Sequence, residues 1–251
     1  MTQPLTILFF ILGLIFGSFF NVVGLRVPKK LPFANERSMC PQCHHTLSWY
    51  ELIPVLSYII QRGRCRHCRA SISLTYPVIE IVTGFLFVFS YVLIGLNLEL
   101  IMAIILMSML VIIVVTDINY MLIPDRILLF FLPLFIILRF IQPLDPWWSP
   151  IAGAVVAFIL IAVIILISRG GMGAGDMKLF GLLGIVLGLK LVILTFFLAC
   201  IIGAVAGMAL LLFKIIDRKQ PVPFGPYIVA AAIITYFFGD SLLSRYFQFF
   251  T

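Results

Sequence analysis

The chain has 251 residues, of which 63% are hydrophobic and 11% charged, and its mean hydropathy is +1.21. Soluble domains carry about 25% charged residues, so a soluble globular fold is excluded and helices packed on helices in lipid are expected. The net charge of +7 is read first as a topology signal rather than a nucleic-acid footprint, so the expected surroundings are a lipid bilayer, with no nucleic-acid partner.

The opening stretch, MTQPLTILFFILGLIFGSFFNVVGLRVPKK, has no basic residue before its apolar run, and Arg26, Lys29 and Lys30 follow it. That pattern predicts an uncleaved first span with its C-terminal end in the cytosol. With about 20 residues per spanning helix as the yardstick, eight apolar segments predict spans at 5–25, 77–96, 100–116, 127–142, 151–168, 177–189, 191–213 and 226–243. The run 179–213 is too long for one span and is divided at Lys190. With residue 27 inside, the inner set of basic residues is Arg26, Lys29, Lys30, Arg37, Arg62, Arg64, Arg66, Arg69, Arg126, Arg169, Lys178, Lys214, Arg218 and Lys219. The outer set is Arg139, Lys190 and Arg245, an asymmetry that fixes the expected orientation. The fold class expected is an all-α polytopic membrane protein of about eight transmembrane helices with a small cytosolic zinc-knuckle insertion between the first two. Its parts are a first span at 1–26, a zinc-binding module at 27–76 and a transmembrane domain at 77–251, with no sequence repeat evident.

The soluble insertion is small for an independent core, and such modules usually carry a staple. Cys40 and Cys43 in CPQC, with Cys65 and Cys68 in CRHC, make two C-x-x-C knuckles that suit a tetrahedral zinc. Two disulfides or a redox pair are the competing readings, and both sit poorly with a reducing cytosol. Four thiolates leave no open coordination position, so the metal is expected to be structural. His44, His45 and His67 beside them are read as solvated or supporting histidines, and Cys200 as a buried small apolar residue. The arginines of the insertion suit anionic lipid headgroups.

Two acids stand out. Asp117 ends the third span in VVTDINYMLIPD, and Asp176 follows the fifth in GGMGAGD. Two spans separate them, so parity puts both on one face of the membrane, and ionisable groups at that depth default to function. Two carboxyls brought close share a proton and can act as general base and general acid around one water, which can attack a peptide carbonyl. The glycine run, with Gly171, Gly173 and Gly175, is expected to supply positive φ and close backbone approach, and Lys178 belongs to the same active-site loop. Helix ends suggest that Asp117, at a C-terminus, holds the shared proton more than Asp176, at an N-terminus. The competing readings are a helix-capping role for Asp176 and a bland interfacial acid for Asp117. Asp125 reads as an N-cap of the fourth span, and Glu80 as an interfacial or structural acid.

GSFFNVVGLRVP (17–28), LSWYELIPVLSYIIQRGRCRHC (47–68), YPVIEIVTG (76–84), DINYMLIPD (117–125), GGMGAGDMKLFGLLG (170–184) and PFGPYIVAA (223–231) occur in that order. The ordered set resembles the type IV prepilin peptidase family, closest in style to its competence-type Gram-positive members; where the family usually has Asn after Glu in WYEN, Leu52 follows Glu51 here. The resemblance implies an aspartic-type membrane endopeptidase of the bacterial cell membrane, with Asp117 and Asp176 as the catalytic pair and 77–251 as the peptidase domain. It implies prepilins or pilin-like pseudopilins as substrates, cut after Gly on the cytosolic side. It further implies methylation of the new N-terminus by S-adenosylmethionine. A transporter or proton relay using the intramembrane acids is the leading alternative; a zinc-stapled membrane adaptor without chemistry and a methyltransferase alone are the others.

Overall fold

A computed structural model describes residues 2–32, 38–168, 172–215, 217 and 222–250. Gly171, one of the expected loop glycines, lies outside them. The described residues hold eight α-helices and no extended strand: α1 Thr2–Arg26, α2 Leu56–Ile60, α3 Thr75–Ile94, α4 Leu98–Tyr120, α5 Asp125–Ile141, α6 Ser149–Ile167, α7 Ala174–Leu212 and α8 Gly225–Phe250. Six of these (α1, α3, α4, α6, α7 and α8) are long and apolar enough to cross a membrane. The protein is an all-helical, multi-pass membrane protein. Bare backbone polar groups are costly in lipid, and helices satisfy them internally. The chain divides into two compact units, Met1–Val115 and Thr116–Thr251.

In the first unit α1 and α3 run antiparallel. Phe9 stacks on Tyr91 at 4.8 Å, Gly13 lies against Gly84, and the Asn21 amide donates to the Tyr76 carbonyl at 3.2 Å. Small residues at such a seam let helices approach closely where lipid supplies no hydrophobic drive. The insertion 27–74 connects the open end of this hairpin. The α4 helix is the most enclosed of the six, with Met102, Leu106 and Ile113 fully buried.

In the second unit α7 is two helical limbs. Phe180 and Phe196 meet edge to face at 5.9 Å, although sixteen residues of one straight helix would separate them by about 24 Å. The chain reverses at Gly188, whose φ of +75° and ψ of 176° suit only glycine. The expected division at Lys190 is thus two residues late, and the seventh span begins with no loop before it. The break orphans the Val186 carbonyl, which accepts from Nε and Nη2 of Arg139 at 2.9 and 2.7 Å. On the other side, Ser149 Oγ accepts the Leu189 N–H at 3.0 Å. The 174–187 limb packs on α6, where Gly184 lies against Gly153 and Ala154. The 189–212 limb packs on α8 through the Thr195–Thr235 hydroxyl pair at 2.7 Å. Cys200 faces outward from that limb and is exposed, which corrects the expectation of burial. In a spanning helix that face is the one open to lipid.

Candidate active site and four-thiol cluster

Asp117 sits in the last turn of α4, which closes when the Met121 N–H bonds the Asp117 carbonyl. Pro124 then caps α5 in extended conformation. Asp125 is therefore the first helical residue and not the N-cap, since proline at the cap already fixes the chain's entry into the helix. Gly173 begins α7 as its N-cap, and Asp176 is the third helical residue. The Asp176 carboxylate reaches back to accept the Gly173 N–H at 3.1 Å, half of a capping box.

Both carboxyls are buried, Asp117 at 6% and Asp176 at 8% exposure, and they interact electrostatically. Asp117 Oδ2 accepts the N–H of Gly225 at 2.7 Å. Gly225 opens α8, so Asp117 faces the N-terminus of a helix other than its own. The asymmetry expected from the helix ends therefore loses its basis, because each carboxyl meets the start of a helix. A Cβ on Gly225 would come within 2.6 Å of Asp117 Oδ2, so only glycine allows this approach. Gly225 is the partner that sequence reasoning missed. Its signal was PFGPYIVAA, conspicuous as a motif but silent about what its backbone touches.

The loop glycines act differently from the expectation. Gly173 has φ −75°, and Gly175 lies inside the helix. Neither uses positive φ. Gly175 instead lets α7 press against Ile123 of the α4–α5 turn, where a Cβ would sit 2.9 Å away. Lys178 pairs with both Asp125 oxygens at 2.7 Å in a half-exposed ion pair. Both residues line an open apolar groove of about 510 Å³ between α5, α6 and the first limb of α7.

In the first unit the Sγ atoms of Cys40, Cys43, Cys65 and Cys68 all lie within 4.8 Å of one another. Cys40 and Cys68 are 3.7 Å apart, which matches the edge of about 3.8 Å in a tetrahedron of 2.3 Å zinc–sulfur bonds. The four residues can hold such an ion. Backbone N–H groups of Cys43 and then Gln42 hold the Cys40 thiol down at about 6, favouring the thiolate that a metal binds. The two knuckles share one backbone pattern. Cys40 N–H bonds His45 O and His44 N–H bonds Cys40 O, while Cys65 N–H bonds Ala70 O and Arg69 N–H bonds Cys65 O. His44 and Arg69 both have positive φ, and each knuckle closes on a bridge, Met39 with Thr46 and Arg64 with Ser71. This is a repeat at an offset of twenty-five residues, hidden because only Cys and Thr/Ser survive in the sequence. His45 and His67 pack ring on ring at 4.5 Å beside the thiols.

Two further acids of this unit are structural. Glu51 is buried and accepts the Ser48 N–H at 2.9 Å. Glu80 is buried in α3 and accepts the Val55 N–H at 2.7 Å.

A multi-pass helical membrane protein that buries a pair of carboxyls at helix starts is the class this geometry defines. Residues 11–94 match the bacterial peptidase A24 N-terminal domain, and residues 104–208 match the type IV leader peptidase family. A prepilin leader peptidase/N-methyltransferase of Bacillus subtilis (strain 168) is 46% identical over 94% of this chain and 96% of its own length. Proteins of the same description from Aeromonas salmonicida (strain A449) and Myxococcus xanthus (strain DK1622) are 31% and 36% identical, over 95% and 81% of this chain. The chain belongs to the type IV leader peptidase family. No solved structure matches it.

Proposed function

We propose that this protein is a membrane aspartic endopeptidase that removes the short basic leader of type IV prepilins or pilin-like pseudopilins, cutting after Gly, and then methylates the new N-terminus. The observation that carries the reading is the buried pair Asp117 and Asp176, each aimed by a backbone N–H. One oxygen of each carboxyl is so engaged, and the second oxygens are assigned to a shared water. One carboxylate takes a proton from that water as it attacks the scissile carbonyl. The protonated partner gives its proton to the departing amine. Backbone donors keep both groups in place without rearrangement during the reaction.

The cytosol is the proposed side of cleavage, because Arg26, Lys29, Lys30 and Arg126 follow or precede spans on the face that bears Asp117 and Asp176 by parity. A single-span precursor with a basic cytosolic leader would present its scissile bond at that surface. Zinc held by Cys40, Cys43, Cys65 and Cys68 would be fully coordinated and would cross-link the insertion, with no part in bond cleavage. The methyl donor proposed is S-adenosylmethionine, which supplies the methyl group when bound. The 510 Å³ groove has only Asp125 and Lys178 as charged lining groups and does not fit a nucleoside, so none of its residues is assigned to the donor.

Membranes containing the protein, mixed with a pilin-like precursor, should convert it to a faster-migrating product. Asp117→Asn and Asp176→Asn should each stop the conversion at normal expression. Cleavage at a near-normal rate in either variant would overturn the aspartyl mechanism.

A further inference from the structure

The stretch between the two knuckles, SWYELIPVLSYII at 48–60, belongs to the soluble insertion, yet nine of its thirteen residues are aliphatic or aromatic. Its large side chains point outward. Trp49 is 78% exposed, and Leu52, Ile53, Leu56, Ile59 and Ile60 are all exposed. Water does not tolerate a contiguous apolar lip of this kind, which marks a surface that something covers.

Three observations identify the cover as the bilayer surface. First, the lip is charged to suit anionic headgroups. Residues 27–76 contain Lys29, Lys30, Arg37, Arg62, Arg64, Arg66 and Arg69 against Glu36 and Glu51, a net +5 of the chain's +7. Arg62, Arg64, Arg66 and Arg69 are exposed, and Arg66 stands 5.4 Å from the centre of the Tyr50 ring, on the lip itself. Tyr50 in turn meets Trp49 edge to face at 5.9 Å. Aromatic rings with arginines among them are the composition of a membrane interface. Second, both ends of the insertion are tied to spanning helices, at Arg26 and at Thr75. Third, the lip dips beside those helices. Glu80 lies five residues inside α3, about 7.5 Å along its axis, and its carboxylate holds the Val55 N–H at 2.7 Å while Ser18 of α1 also bonds it. Val55 has φ +60° and ψ −50°, a conformation that a β-branched residue rarely adopts. Glu80 thus anchors a strained turn and sets the depth of the lip. Interfacial segments typically sink about 5–10 Å into the headgroup and acyl boundary.

We infer that residues 49–60 form an interfacial anchor, inserting Trp49, Leu52, Ile53, Leu56, Ile59 and Ile60 into the anionic leaflet while the arginines bind its phosphates. The inference stands apart from the peptidase reading and is tested without an activity assay.

Trp49, Trp147 and Trp148 are the three tryptophans, so the full-length Trp147→Phe/Trp148→Phe variant reports from Trp49 alone. It is reconstituted in phosphatidylcholine vesicles with or without phosphatidylglycerol, using lipids brominated near the headgroup. The expected result is at least a roughly twofold loss of emission to bromolipid and little quenching by aqueous iodide. Removing phosphatidylglycerol, or changing the four exposed arginines to Gln, should weaken the bromolipid effect. Free access of iodide overturns the proposal. So does shielding from iodide without bromolipid quenching, which means that protein covers the lip, or shielding that begins only when a pilin-like precursor is added. If the variant does not fold, the unaltered protein in nanodiscs is treated with a lipid-soluble photoreactive carbene and mapped by peptide. Labelling across 49–60 supports the anchor, and its absence there overturns it.

Discussion

In the 40–68 segment four thiols converge through two local turns of one backbone pattern, each complete within eight residues. The carboxyls of the second unit converge otherwise. Asp117 and Asp176 are fifty-nine residues apart, and the donor that holds Asp117 comes from Gly225, 108 residues further on. A centre made of local turns survives on spacing and can be recognised from spacing. One made of helix ends depends on every span between them being in register, so it is sensitive to distant packing and its partners are invisible in any short motif.

The sharpest way to break the comparison is at the carboxyls. Asp117→Asn or Asp176→Asn should lower the rate of leader cleavage by roughly 10²–10⁴-fold, measured by precursor mobility, with zinc content unchanged. Next is Gly225→Ala, whose added methyl would lie 2.6 Å from Asp117 Oδ2. Displacing that carboxyl should cost on the order of 10²-fold in kcat, since misplacements of about 1 Å do so; a rate near normal would show that the Gly225 approach does not aim Asp117. At the thiols, Cys65→Ser should take bound zinc from about one per chain to near none and destabilise the insertion before cleavage is affected. Zinc retention should also fall as pH is lowered, because protons compete with the metal for the four thiolates. Metal analysis across a pH series checks this. The Gly188 reversal should be less sensitive. Ser149→Ala removes the acceptor for Leu189 N–H and should cost about 1–2 kcal/mol, read as a lowered unfolding temperature in detergent. The smallest effect is expected for Lys178→Met. Its ion pair with Asp125 is half exposed, so stability should change by less than about 1 kcal/mol. A large loss of cleavage in that variant would give Lys178 a role beyond the ion pair.

Much of the fold was legible because lipid forces a simple code. Apolar runs became helices α1, α3, α4, α5 and α6 with ends shifted by up to four residues, while α8 runs seven residues past its expected end. What stayed hidden was set by contacts at a distance. Lys190 looked like the division of the long run because charge is the usual punctuation between spans, yet the chain turns at Gly188, where conformation and not polarity decides. Asp125 looked like a cap because acids favour that position, but Pro124 occupies it and Asp125 is left for Lys178. The thiols and the two aspartates were visible as residue types. Gly225 as a donor and Glu80 as an anchor were not, because a backbone N–H carries no sequence signature and a buried acid does not announce its partner.

Both groups that hold the aspartates belong to the main chain, at Gly173 and Gly225. Neither N–H depends on the identity of the residues around it, although at Gly225 itself an added Cβ would push Asp117 away. Drift in the surrounding residues can therefore alter the neighbourhood of the two acids while the two N–H groups go on gripping the same oxygens.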